Sequence, residues 1–161
     1  MRKECADLIL RAMRHDHEIV VLTADLGFGI LDDIKTEFNN QRFYNTGAAE
    51  QLMIGAAVGL AEEGKIPICY SMSSFILYRP FEFLRNYANH ENIPIKLIGS
   101  GRDKDYAHDG FSHWAHDNDK VLESLPNIKV YKPMSIKELE ELFDEFLYND
   151  KPSYLNLTRK L

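Results

Sequence analysis

The sequence predicts an α/β fold, in which a doubly wound, mostly parallel sheet of about six strands carries helices on both faces. Apolar segments of strand length alternate along the chain with segments of helical periodicity, and the connections between them are short. The strand segments are continuously apolar, which is typical of parallel strands covered on both sides. Because 161 residues suit one domain with its own core, we treat residues 1–161 as a single domain.

Signals at the ends of the helices support this division. Gly64 predicts the C′ position of the third helix, and Pro80 predicts the first turn of the fourth. Ser135 and Glu138 predict a capping box at the start of the last. The helices are expected at residues 3–14, 31–38, 80–90 and 136–148, with a further helix from residue 50 to just before Gly64. The strands are expected at residues 18–23, 42–44, 66–71, 93–99, 128–131 and 154–158.

Composition and charge exclude several classes of partner. The chain has a formal net charge of −6 and no basic run, which argues against nucleic acid and against a membrane surface. Its apolar runs are too short to cross a bilayer, and the N-terminus lacks the apolar core of a signal peptide. Cys5 and Cys69 lie in apolar surroundings and are interpreted as reduced core residues. We therefore expect a cytoplasmic protein.

Glu50 is the most informative residue of the chain. It lies in the first turn of a helix whose residues 52–61 are apolar or glycine, so this helix is expected to be buried all round. A buried carboxylate is costly unless it is protonated or hydrogen-bonded, and such a group can be tuned for acid–base chemistry. The alternative is a charge that backbone N–H groups satisfy. Gly47 permits a tight turn before the helix, and Ala48 and Ala49 leave room for a large group beside Glu50.

Polar residues follow four of the predicted strands at the point where each strand ends. These positions are Asp25, Glu50, residues 71–75 and residues 100–116. Doubly wound parallel sheets bind ligands at the carboxyl ends of their strands. We therefore expect the functional site at this edge of the sheet.

The segment 100–118 is long and polar, and such loops are usually functional or disordered. Its histidines and aspartates resemble a metal site, but no Cys or Glu completes the ligand set, so no dedicated metal ion is expected. A solvated surface loop is the other alternative. Trp114, Phe111 and Tyr106 indicate instead that the loop folds onto another part of the protein. His113 is a candidate hydrogen-bond donor or proton carrier toward a polar substrate.

Five separated motifs carry a family resemblance. They are Asp25, Asn-Thr-Gly-Ala-Ala-Glu-Gln-Leu-Met-Ile-Gly-Ala-Ala-Val-Gly-Leu-Ala at residues 45–61, Gly-Lys-Ile-Pro at residues 64–67, residues 71–79, and Asp-Gly-Phe-Ser-His at residues 109–113. Together they resemble the pyrimidine-binding domain of transketolases, which also occurs in 1-deoxyxylulose-phosphate synthase and in 2-oxoacid dehydrogenase β subunits. The resemblance runs nearly end to end, in order and without large gaps.

The resemblance implies that thiamine diphosphate is the cofactor. Glu50 would hydrogen-bond the N1′ atom of the aminopyrimidine and act as the catalytic acid–base group. Phe75 and Tyr78 would pack on the pyrimidine ring, with ordinary core packing as the alternative. Met72 stands where transketolases usually stack a Phe on that ring, and it would pack there less rigidly. Asp25 would approach the thiazolium side of a cofactor in a neighbouring subunit's site, with an N-cap of the next helix as the alternative.

The resemblance also implies a substrate site. Asp109 and His113 would face the hydroxyl and carbonyl groups of a bound sugar, and His113 would act as a catalytic residue. Arg2 and Arg159 match positions that hold the substrate phosphate in transketolases, although arginines near chain ends are usually only solvated. Gly101 replaces a histidine that contacts substrate in transketolases. A phosphorylated or nucleotide-linked sugar other than the usual pentose phosphates, or a 2-oxoacid, is therefore the expected substrate.

A partner chain is expected as well. The sequence lacks the Gly-Asp-Gly…Asn-Asn signature that holds the diphosphate through Mg²⁺, and it ends where transketolases continue into a C-terminal domain. We expect a split enzyme, with two copies each of this chain and of a diphosphate-binding subunit that supplies the Mg²⁺ ligands. Gly55 and Gly59, one helical turn apart, would let another helix or a second subunit pack closely. The enzyme would transfer a two-carbon ketol or acyl unit between phosphorylated or activated sugars.

Three alternatives are open at this point. A non-catalytic assembly or regulatory module predicts a partner that is active without this chain. A flavodoxin-like binding protein predicts ligand binding by a monomer, but the phosphate-cradling glycine loop is missing. A 2-oxoacid decarboxylase or synthase subunit would use the same cofactor for a different transfer.

Overall fold

The computed structural model describes residues 1–159, so residues 160 and 161 of the predicted domain lie outside the described part. Within it, six strands form one sheet in which every neighbouring pair is parallel. The strands are β1 (Ile19–Thr23), β2 (Phe43–Asn45), β3 (Ile66–Met72), β4 (Lys96–Ser100), β5 (Lys129–Tyr131) and β6 (Ser153–Leu157). Their order across the sheet is β2-β1-β3-β4-β6-β5. The predicted parallel α/β sheet is therefore confirmed.

Helices cover both faces of this sheet. Among the described residues they are α1 (Arg2–His15), α2 (Asp32–Phe38), α3 (Glu50–Glu62), α4 (Ser73–Tyr78), α5 (Phe81–Phe83), α6 (Asn118–Glu123) and α7 (Ile136–Tyr148). One apolar core joins the sheet to α1, α2 and α7, and a second core joins it to α3, α4 and α6. The doubly wound arrangement follows from these two cores. No helix in residues 1–159 has both the length and the apolar character that a membrane span requires.

The predicted helix ends agree with the structure except in one detail. Gly64 follows α3 with φ of 80°, a left-handed conformation that suits the predicted C′ glycine. The Ser135 hydroxyl caps α7 by accepting a hydrogen bond from the backbone N–H of Glu138 at 3.1 Å. The second half of the predicted capping box is wrong. The Glu138 carboxylate accepts a hydrogen bond from the backbone N–H of Met134 at 2.7 Å, one residue before the cap.

Two short helices escape sequence-based prediction. The helix α4 follows β3 without a loop, and α6 follows the long polar segment. Each has six residues, too few to show helical periodicity in the sequence. The predicted helix at residues 80–90 is present as α5 followed by a π-helical segment, Leu84–His90.

The prediction that α3 is buried all round is wrong. The residues that face the sheet are Met53, Ile54, Ala57 and Val58. On the opposite side Leu52 is 61% exposed, and Ala56 and Gly59 are exposed too. Gly55 packs closely within the chain, because a Cβ atom there would lie 3.0 Å from the Phe83 ring. An apolar residue of a helix is buried only where another part of the chain packs on it. On the side away from the sheet, α3 instead presents an open apolar strip made of Leu52, Ala56 and Gly59.

The long polar segment folds back over α4, as its aromatic residues predict. It contains two 3₁₀ turns, Ala107–Asp109 and Phe111–His113. The Ser74 hydroxyl of α4 donates a hydrogen bond to the backbone carbonyl of Ser112 at 3.0 Å. A wholly solvated loop is therefore not what the structure shows. This segment and α4 together form one wall of the candidate site.

Candidate active site

The carboxylate of Glu50 lies buried in the first turn of α3, where only 1% of the residue is exposed. Ser71, in β3, donates its hydroxyl to Glu50 Oε1 at 3.2 Å. Arg79 donates Nη1 to both carboxylate oxygens at 2.8 Å. The buried charge is thus paired and hydrogen-bonded, as burial of a carboxylate requires. Side chains hold it, rather than the backbone N–H groups that the alternative interpretation invoked.

Arg79 is the site residue that sequence analysis missed. It caps the C-terminus of α4, and its guanidinium carbon lies 3.6 Å from the centre of the Phe75 ring, in cation–π contact. Its side chain is 46% exposed. A signal for it exists, since Arg79 is the only basic residue between Lys65 and Arg85 and a buried carboxylate needs donors.

Two cavities flank the side chain of Arg79, which lines both. One has a volume of about 560 Å³ and lies beside Glu50, Ala48 and Ala49, where the sequence predicts room for a large group. The other has a volume of about 280 Å³ and is lined in part by Phe75. The expectation of free space next to Glu50 is therefore correct only in part. The cavity is present, but the carboxylate itself is covered by the guanidinium.

Two further predicted site residues lie close to Phe75. The ring of His113 packs against it edge to face, with ring centres 4.9 Å apart. Tyr78 lines the same cavity as Phe75 and is 45% exposed. Partial burial and a hydrogen bond to Asp117 raise the pKa of Tyr78 to about 12. Tyr78 is therefore a neutral hydroxyl at neutral pH.

A second group of predicted residues meets at Tyr106. Arg2 donates Nη1 to the Tyr106 hydroxyl at 3.0 Å, and the guanidinium carbon of Arg159 lies 5.0 Å from the ring centre. A cavity of about 200 Å³ is lined by Arg2, Tyr106 and Met72. Met72 faces this cavity while its neighbour Ser71 contacts Glu50, because successive residues of a strand point to opposite sides. The contact of Met72 with a pyrimidine ring stays a prediction.

The structure places the two predicted aspartates at exposed positions. Asp25 follows β1 with φ of 56°, and its carboxylate accepts a hydrogen bond from Asn45 Nδ2 at 3.4 Å. The N-cap alternative for Asp25 is wrong, because Leu31 occupies the N-cap of α2. Asp109 lies in the first 3₁₀ turn of the loop, with Oδ2 3.2 Å from Nε2 of His108. Their contacts with cofactor and substrate stay predictions.

Metal and thiol chemistry have little support in the described chain. In residues 1–159 no three His, Cys, Asp or Glu side chains are placed to hold a metal ion together. Cys5 and Cys69 are buried and unpaired, and burial raises the pKa of Cys5 to about 12 and that of Cys69 further. Neither thiol is therefore an activated nucleophile. The arrangement offers a buried carboxylate, an imidazole, guanidinium groups and aromatic faces.

Comparisons with known proteins agree with this fold. The whole chain, residues 1–161, matches the family model described as "Transketolase, pyrimidine binding domain". The 6-deoxy-6-sulfo-D-fructose transketolase subunit of Clostridium sp. (strain MSTE9) is 29% identical over 163 residues, covering 99% of this chain and 50% of that protein. A solved structure described as "Split gene transketolase, inactive beta4 tetramer" matches at a TM-score of 0.83 and 26% identity, covering 98% of this chain and 51% of that one.

A third match concerns the fold alone. Transketolase from Campylobacter jejuni superimposes with a TM-score of 0.88 at 19% identity, over 99% of this chain and 25% of that one. The chain spans about half the length of the Clostridium relative and of the split-gene structure. Because the family model covers its full length, the chain belongs to the family of transketolase pyrimidine-binding domains.

Proposed function

We propose that this chain is the pyrimidine-binding subunit of a thiamine-diphosphate-dependent transketolase, and that it transfers a two-carbon ketol unit only together with a second subunit. The observation that carries the proposal is the geometry around Glu50. A buried carboxylate and an aromatic ring, that of Phe75, both contact one planar nitrogen group, the guanidinium of Arg79.

The contacts of Arg79 indicate whether the aminopyrimidine ring of the cofactor can bind at this site. An aminopyrimidine is also planar and can carry a proton on nitrogen. Like a guanidinium, it can stack on an aromatic face while it hydrogen-bonds a carboxylate. We therefore assign Glu50 and Phe75 to the binding of such a ring. The cavity of about 560 Å³ beside Glu50 offers an approach to it. The residues present fit the pyrimidine half of the cofactor.

The roles of the chain's own residues follow from their positions. When bound, thiamine diphosphate supplies the carbanion-stabilising chemistry that transfer of a ketol unit needs. Glu50 would exchange a proton with the N1′ atom of the pyrimidine through its carboxylate, because burial keeps water from competing for that hydrogen bond. Ser71, hydrogen-bonded to Oε1, would hold the carboxylate in place. Phe75 and Tyr78 would pack on the ring. Asp25 would approach the thiazolium side of a cofactor bound in a neighbouring subunit's site.

The substrate would approach from the loop that covers α4. His113 contacts Phe75 and would serve as proton carrier, with Asp109 binding hydroxyl groups on the same loop. Arg2 and Arg159 flank Tyr106 and would bind an anionic group at the far end of a sugar. The name of the Clostridium relative describes a sulfonated sugar, which also has an anionic end. A phosphorylated or otherwise anionic sugar is thus favoured over a 2-oxoacid.

A second subunit would hold the diphosphate and the Mg²⁺ ion. Two relatives support this part of the proposal, because one is described as a subunit and the other as the product of a split gene. The open apolar strip of α3 (Leu52, Ala56 and Gly59) is the surface that we assign to this contact. The assembly would contain two copies of each chain. The unpaired buried thiols are consistent with a cytoplasmic location.

The test is ketol transfer by the assembled complex with thiamine diphosphate, Mg²⁺ and a series of anionic sugars. The Glu50→Gln variant should lose at least about 100-fold in kcat, the usual contribution of a positioned acid–base group. Glu62→Gln is the matched control, since Glu62 is an exposed acid at the other end of α3. Equal activity of Glu50→Gln and wild type would contradict the proposal.

A non-catalytic assembly module is the second candidate, and one observation favours it. Arg79 neutralises Glu50 in the structure, as a purely structural ion pair would. This candidate predicts that the partner subunit turns over at the same rate with and without the chain. Ketol transfer that requires both chains and depends on Glu50 would exclude it.

A further inference from the structure

We infer that the guanidinium of Arg79 occupies the place that the aminopyrimidine ring would take beside Glu50, and that it must leave this place before the ring can bind. The inference rests on the proposed function and deepens it. It assigns to Arg79 a positioning role at the cofactor site, in which it acts as an internal placeholder that the cofactor displaces.

The contacts of Arg79 are those that a bound pyrimidine would need. Its Nη1 donates to both oxygens of Glu50 at 2.8 Å, and its guanidinium carbon lies 3.6 Å from the centre of the Phe75 ring. A second planar group cannot occupy the same face of Phe75 and the same carboxylate at once. A ring that takes this face of Phe75 and also bonds Glu50 therefore displaces the guanidinium from its present position.

The side chain of Arg79 is partly open to solvent, whereas the carboxylate that it contacts is not. It is 46% exposed, whereas Glu50 is 1% exposed. Arg79 lines the cavities of about 560 Å³ and 280 Å³, which offer its guanidinium space away from the carboxylate. The backbone at Arg79 is held by a hydrogen bond from its N–H to the carbonyl of Phe75 at 3.1 Å. Displacement thus requires rotation of a side chain and no unfolding of α4.

The placeholder has a definite consequence for affinity. If the ring-accepting arrangement is a minor population in the free chain, the apparent affinity for the cofactor falls by that fraction. Removal of the guanidinium should therefore restore the full affinity for the cofactor. A population of about one-tenth corresponds to about tenfold tighter binding of thiamine diphosphate by Arg79→Ala than by wild type.

The test combines a binding measurement with a direct observation of Arg79. The dissociation constant of thiamine diphosphate with Mg²⁺ is measured by calorimetry for the complex of this chain with its partner. Wild type, Arg79→Ala, Arg79→Lys and the control Arg85→Ala are compared; Arg85 is exposed and bonds Asn86 through Nη1. The Nε–H resonance of Arg79 is followed by NMR in the ¹⁵N-labelled chain during titration with the cofactor, with and without the partner.

Four results are distinguishable. Binding by wild type, a shift of the Arg79 resonance on titration and about tenfold tighter binding by Arg79→Ala would support the inference. Should Arg79→Ala fail to fold, Arg79→Lys, which keeps the charge but lacks the planar fork, should still bind more tightly than wild type. Tight binding by wild type with an unmoved Arg79 resonance and no gain in either variant would overturn the inference and leave the proposed function standing. Failure of every protein to bind would overturn both.

Discussion

Replacement of Arg79 by glutamine removes the cation that holds the buried carboxylate of Glu50, and the free energy of unfolding should report the loss. Removing one partner of a fully buried ion pair lowers the free energy of unfolding by about 3–5 kcal/mol. Arg79 is 46% exposed and Ser71 still donates to Oε1, so we expect about 2–3 kcal/mol for Arg79→Gln. Glu50→Gln removes the charge itself and keeps an acceptor for Ser71, so it should cost about 1 kcal/mol. The double variant should cost less than the sum, with a coupling of about 2 kcal/mol.

The assay is urea unfolding of the chain followed by circular dichroism. With a slope of about 2 kcal/mol per M urea, Arg79→Gln should lower the midpoint by about 1 M. The matched control is the exposed pair Arg14–Glu37, joined at 2.7 Å on the surface, for which the double-variant cycle should give a coupling within experimental error. Additive effects of the two substitutions at Arg79 and Glu50 would show that the pair is absent in solution and would refute the reasoning.

Three further predictions concern other parts of the chain. Burial raises the pKa of Cys5 to about 12 and that of Cys69 further, so neither thiol should react with a disulfide reagent at pH 8 in the native chain. Both thiols should react once the chain is denatured. Fast labelling of the native chain would disprove their burial. Burial lowers the pKa of Lys96 to about 8 from 10.5, so the unfolded chain binds more protons between these values. The free energy of unfolding should therefore rise with pH in that window more for wild type than for Lys96→Met, and equal slopes would contradict this. On the open apolar strip of α3, Leu52→Asp should abolish assembly with the partner in light scattering without lowering the melting temperature. The control Met134→Asp, at a methionine that is 71% exposed, should assemble normally.

The sheet and most helices were predictable because their signals are local. Continuous apolar strands, the C′ glycine Gly64 and the cap at Ser135 each act through nearby backbone, and each is found in the structure. The helix α4 was not predictable from periodicity, because its six residues continue the apolar run of β3 without a break. It forms because the sheet and the second core cover residues that have no helical pattern of their own.

The burial of α3 and the role of Arg79 depend on neighbours that periodicity does not reveal. An apolar stripe shows where a helix can be covered, but not whether its own chain or another surface covers it, so Leu52 was wrongly expected to be buried. Burial of Glu50 was predicted correctly, and burial of a charge demands a partner. The partner, Arg79, is 29 residues away in sequence, at the end of the helix α4, which the sequence does not predict. The sequence shows that a buried Glu50 needs a hydrogen-bonding partner, but only the fold shows that this partner is Arg79.

The ion pair at Glu50 links the stability of the free chain to the affinity of the cofactor. The pair makes a buried carboxylate tolerable when no ligand is present, and the same pair competes with a ring for that carboxylate. A bound ligand stabilises the state that binds it by RT ln(1 + [L]/Kd), which is about 2.7 kcal/mol at a hundredfold excess over Kd. This exceeds the cost of displacing Arg79, about 1.4 kcal/mol for a ring-accepting population of one-tenth, so a cofactor near saturation offsets what its entry disrupts. Variants that weaken the pair should therefore be less stable without cofactor and bind it more tightly. Opposite movement of these two quantities in one substitution series is what separates a placeholder arginine from an ordinary structural salt bridge, which would lower both.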